Sequence, residues 1–174
     1  MRTSMTPTVT GMTLALGLWA MAFAAGAATL WTGPKITFSK ASGADPNQPA
    51  SQDRMTPAVW ITRRDTTGIY NAATESSYTT GSPAGTEWAY GTTANLATLI
   101  FRPWVTWNGK QPPSMVGKDA VVHLISEDIY IDIKFTAWGG GGAGNFAYQR
   151  STPSVSPPPN TVIEFYNTPL DNYF

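Results

Sequence analysis

Three carboxylates, Glu127, Asp128 and Asp132, fall close together, with Asp119 just upstream. On an extended strand Asp128, Tyr130 and Asp132 share parity, so their side chains leave one face about 7 Å apart. Oxygen donors gathered at a strand edge suit Ca²⁺, the one metal this pattern points to. The D-x-D-x-D-G spacing of a dedicated calcium loop is missing, and Lys134 supplies the plainer alternative of a solvated strand face in which it balances Asp132. A second set, Glu75, Glu87 and Asp132, would serve glycoside hydrolysis if folding brought two of its carboxyls to roughly 5 to 10 Å. Any chain with 11 acidic residues offers such combinations. His123 is the only histidine. One imidazole cannot build the nitrogen-rich shell that transition metals favour, and its neighbours Val122 and Leu124 make it a packed or edge histidine. The fourth set is aromatic. Exposed Trp and Tyr rings stack on sugars because they pair a large apolar face with a polar rim, whereas in a chain with no cysteine the same rings are wanted for the core. Trp104 and Trp107, between Pro103 and Asn108-Gly109, are expected at the surface as a stacking pair, with Tyr130 as a further ligand contact.

The elements that would hold these residues are strands. From Ile129 to Phe135 apolar and polar residues alternate, the period of a half-buried strand. Residues 121–125 are almost continuously apolar and 146–150 form a third run, so 120–151 reads as a three-stranded meander joined by Ser126-Glu127-Asp128 and by the glycine run 139–142. No dinucleotide or P-loop fingerprint surrounds those glycines, which read as a hairpin loop. Further short strands are expected at 31–38, 58–62, 68–72, 86–92 and 96–101, and at 104–107 as an edge or a strand start after Pro103. Residues 39–53, 75–85 and 108–117 read as loops. The total, about eight to nine short strands with no helical period, specifies an all-β chain, an antiparallel β-sandwich or jelly roll.

Composition agrees. Charged residues are 13% of the chain, Gly and Pro number 16 and 14, and 11 basic residues balance 11 acidic ones. The basic residues are scattered apart from Arg63-Arg64, which excludes the electrostatic footprint of a nucleic-acid binder. Arg2, the apolar run 12–25 and Ala25-Gly26-Ala27 together describe a secretory signal helix, cleaved near Ala27 or Ala28. Residues 1–28 are then signal, 29–153 the β domain and 154–161 a proline-rich, semi-rigid linker. The mature chain would be secreted, extracellular or in the cell envelope, with no membrane span.

Residues 162–174, V-I-E-F-Y-N-T-P-L-D-N-Y-F, look like the opening of a second domain cut short. They resemble the start of a bacterial extracellular repeat domain of unknown function, whose pattern runs V-[VI]-E-[FY]-Y-N and then L-D-H-Y-F. Asn172 stands where that pattern has histidine. The stretches D-I-Y-I-D-I-K-F (128–135) and F-A-Y-Q-R-S-T (146–152) are similar to a domain of uncharacterised secreted bacterial proteins. Both resemblances imply export and modular architecture and name no reaction. The function expected is a non-catalytic module for surface attachment or glycan binding, its partner a polysaccharide or another cell-surface component. The alternatives are a carbohydrate-active hydrolase using the paired carboxylates, and a structural spacer. No cofactor is required, Ca²⁺ being the one candidate.

Overall fold

The computed structural model describes residues 27–154. The expected signal segment up to Gly26, the linker beyond Ser154 and the segment 162–174 lie outside the described residues. Nine strands are present: β1 (Thr29–Trp31), β2 (Gly33–Lys40), β3 (Asp53–Arg54), β4 (Trp60–Arg63), β5 (Ile69–Asn71), β6 (Thr86–Tyr90), β7 (Ala120–Leu124), β8 (Ile129–Trp138) and β9 (Phe146–Thr152). The fold is all-β, and no helix among the described residues is long and apolar enough to cross a membrane.

The strands form two sheets. The larger runs β2-β9-β8-β7-β6, with β1 lying parallel to the first residues of β8, and the smaller runs β3-β4-β5. The expected meander is there: β7, β8 and β9 pair antiparallel in succession. Alternation along β8 places Ile131, Ile133 and Phe135 in the core, as the sequence period requires. A bulge between Phe135 and Ala137 then shifts the register, so that Trp138 pairs with Phe146. One extra residue reverses the parity of all that follows, and Trp138 therefore packs against the core where a regular strand would have presented Ala137.

Residues of both sheets join in one hydrophobic cluster, with Met55, Val59, Ile61 and Ile69 from the region of the smaller sheet meeting Trp88, Val122, Ile131 and Phe135 from the larger. One ion pair crosses as well. Arg150 on β9 donates from Nε and Nη2 to the two carboxylate oxygens of Asp53 on β3, at 2.6 and 2.7 Å, and the Tyr148 hydroxyl donates to Asp53 Oδ2 at 2.7 Å. All three side chains are buried.

Two expected strands are not strands. Residues 93–98 form 3₁₀ turns, and the apolar run 96–101 contains no strand, the one bridge nearby being made just after it by Arg102 to Trp88. Its role is to cover the second face of the large sheet: Phe101 packs edge-on against His123 and Tyr130, and Thr93 hydrogen-bonds to Asp132. Residues 104–107 form a single α-helical turn, α1 (Trp104–Trp107).

Candidate functional site

Helical geometry at α1 decides where its two tryptophans go. Residues three apart share a helix face, and here that face is inward: Trp104 is 1% and Trp107 7% exposed. The expected surface stacking pair is thus overturned. A strand would also have placed positions 104 and 107 on opposite faces, but the turn sends both rings into the core, Trp107 against Trp88 at 5.5 Å and Trp104 against Trp138 at 5.6 Å. Tyr130 lies on the other face of the large sheet, stacked on His123, and does not join them.

Trp104 nevertheless reaches a ligand-sized space. Its ring forms the inner wall of a pocket of about 570 Å³, within the range of small-molecule sites. Tyr78 meets Trp104 edge-on at 6.3 Å, and Trp138, delivered by the β8 bulge, stands beside it. Gly68 forms part of the wall at a position where no side chain fits, because a Cβ would lie 2.6 Å from the Tyr78 ring and 2.8 Å from that of Trp104.

The polar groups of this pocket come from three short segments. Arg63 ends β4 and is 4% exposed. Its Nε donates to the Thr67 carbonyl at 2.7 Å, and its Nη1 donates to the carbonyls of Gly139 and Asn145 at 2.8 and 2.9 Å, tying the β4–β5 loop to the glycine hairpin. The guanidinium lies 3.8 Å over the Trp138 ring. Burial pulls its pKa down from the ordinary arginine value. The hairpin closes tightly on this side, since a Cβ at Gly144, whose φ is +64°, would lie 2.9 Å from the Asp65 backbone. Asn108 follows α1 and is 2% exposed, and among the described residues neither its Oδ1 nor its Nδ2 has a hydrogen-bond partner. The indole N–H of Trp104 is buried in the same condition. Lys110, held at φ +60° after Gly109, lines the rim.

No family model, curated protein or solved structure matches the chain. The site is accordingly read from its own chemistry. Buried polar groups in native proteins are almost always satisfied; the Asn108 amide and the Trp104 indole N–H are exceptions among the described residues, and their polar atoms lie behind the pocket wall, shut off from solvent.

The other residues singled out by sequence are dispersed. Glu127 accepts from Thr56 Oγ1 at 3.0 Å, Asp128 lies 3.2 Å from His123 Nε2, and Asp132 accepts from the backbone N–H and hydroxyl of Thr93. Among the described residues no three His, Asp or Glu side chains converge as a metal group would. Glu75 closes its own loop, accepting from the N–H groups of Asn71 and Ala84, while Glu87 bonds His123 Nδ1 at 2.7 Å. Glu87, His123 and Tyr130 are cross-strand neighbours on β6, β7 and β8, and the imidazole stacks on Tyr130 at 4.1 Å with planes 2° apart. Burial, followed by the Asp128 and Glu87 carboxylates, raises the Tyr130 pKa. His123 is the packed histidine its apolar neighbours imply, and no nucleophile faces it.

Sequence reasoning passed over Arg63, Tyr78, Asn108 and Lys110. Two signals were visible: Arg63-Arg64 is the only basic doublet of the sequence, and Asn108-Gly109 marks a sharp turn beside two tryptophans.

Proposed function

We propose that the chain is an exported, non-catalytic β module that binds a saccharide in the Trp104–Trp138 pocket, its two sheets forming the layers of a sandwich. The observation that carries this is the aromatic lining of the pocket, where the Tyr78, Trp104 and Trp138 rings stand together around a ligand-sized space. Sugars are ligands that match such a lining, since their C–H faces pack on aromatic rings while their hydroxyls meet polar side chains such as Thr80 and Lys110. No Asp or Glu lines the pocket. A glycosidase needs two carboxyls flanking the bond it cleaves, which favours binding over hydrolysis. Export is part of the reading and rests on the residues 1–28 pattern.

The test is a panel of insoluble and soluble polysaccharides, with retention, tryptophan emission and release of reducing ends followed together. Binding should shift the emission, because Trp104 and Trp138 line the pocket. Tyr78→Ala, which removes a half-buried ring from the pocket wall, should weaken binding about tenfold or more, in line with the loss of an aromatic contact and its buried area. Unchanged affinity in that variant, or an emission that no saccharide in the panel moves, would sink the proposal. Release of reducing ends would favour a hydrolase instead.

A further inference from the structure

The electrostatics of the pocket are one-sided. Arg63 and Lys110 both line it, no carboxylate does, and neither cation is in an ion pair among the described residues. Buried Lys40 likewise has no ion pair among the described residues, its Nζ meeting only the Gly144 carbonyl at 3.5 Å, but it does not line the pocket. The other buried arginine, Arg150, is held by the two oxygens of Asp53, and the chain as a whole has no net charge. A buried charge left without a counter-ion is costly. The three carbonyls that Arg63 binds through Nε and Nη1 orient its guanidinium but bring no negative charge, and Nη2 makes no hydrogen bond among the described residues. Trp138 under the guanidinium fixes it further. The pocket thus presents one oriented cation inside and one exposed cation at the rim, between aromatic walls.

We infer that the preferred ligand is an acidic saccharide, a sugar ring whose carboxylate accepts from Arg63 Nη2 and Lys110 Nζ while its apolar face packs on the aromatic wall. This inference rests on the saccharide reading above and narrows its ligand class. A carboxylate is the anion that fits best: it is planar and accepts charge-assisted bonds from two donors at once, and it sits on a ring whose faces the tryptophans can cover.

The experiment uses oligomers of galacturonate, glucuronate and mannuronate, each beside its own methyl ester, with neutral and sulfated galactan oligomers as further arms. Affinities are measured by calorimetry on the exported chain. Because each ester keeps the sugar and removes only the charge, the acid should bind about tenfold or more tightly than its ester, the ratio expected of a charge-assisted hydrogen bond. Lys110→Gln, at an exposed position, should shrink that ratio several-fold, and added salt should lower affinity for the acid alone. Equal affinity for acid and ester would overturn the inference and leave saccharide binding standing. So would tighter binding of the sulfated galactan than of any uronate. Failure of every acid, ester and neutral oligomer to bind would overturn the saccharide reading itself.

Discussion

Asn108 concentrates a stability cost at a single side chain. Its amide is buried without hydrogen-bond partners among the described residues, and leaving such a group unsatisfied costs about 1–3 kcal/mol. An apolar side chain of similar volume removes that cost. Asn108→Leu should therefore leave the fold at least as stable as the parent, by up to about 2 kcal/mol in a denaturant titration. A loss of stability in that variant would make the amide a structural group. His123 shows the opposite case, a polar side chain whose every bond is made inside the fold, and its apolar neighbours made it legible from sequence. Trp104 and Trp107 were not legible in the same way. Spacing alone does not tell a strand from one turn of helix, and the three-residue separation that would split them across a sheet unites them on α1.

At the scale of elements, periodicity carried the meander and failed where an irregularity interrupts it. β8 alternates cleanly up to Phe135, after which the bulge, invisible to any pattern of hydrophobicity, brings Trp138 to the pocket. The run 96–101 misled for a related reason: an apolar segment laid over a sheet face has the composition of a strand and none of its ladder. The Asp53–Arg150 pair, 97 residues apart in the chain, had no local signature at all. Removing one partner leaves a buried charge exposed to the low dielectric, so Asp53→Ala should cost about 3–5 kcal/mol, while Asp53→Leu with Arg150→Met should recover much of it. Tyr148 adds a pH signature. Burial first, and then the Asp53 carboxylate, push its pKa well above the usual tyrosine value, which is about 10 in an unfolded chain. The folded state keeps the proton where the unfolded state loses it, so this contribution is complete below about pH 10 and declines as pH rises beyond it. Tyr148→Phe, which should cost about 1 kcal/mol at neutral pH, should close the gap to the parent above pH 10 when melting is followed across that range.

For the whole molecule the total of nine strands among the described residues matches the sequence count only because β3 and the division of 31–38 into β1 and β2 offset the two runs, 96–101 and 104–107, that form no strand. Beyond the meander the strands' neighbours could not be read at all. β1 lies parallel beside β8, and β2 pairs with β9 from the far end of the domain, with Lys40 opposite Phe146. Pairings of that separation are written in no local period and depend on which surfaces the core leaves to be covered. They also bear on how the molecule unfolds. The strands of the smaller sheet have only 2, 4 and 3 residues, shorter than is usual, yet Ile61 and Ile69 are fully buried in the cluster shared with the larger sheet, and Asp53 is bonded into β9. Neither sheet can open without exposing the apolar face of the other. Unfolding in denaturant should accordingly be one transition, with far-ultraviolet circular dichroism and tryptophan emission falling on a single curve. The slowest amides to exchange should include those of β4 alongside β7, all five of whose residues are buried. A separate, earlier transition confined to residues 53–71 would show instead that the smaller sheet is an appendage, and that the pocket, whose Arg63 and Gly68 come from that sheet and its loop, is assembled only when the ligand holds it in place.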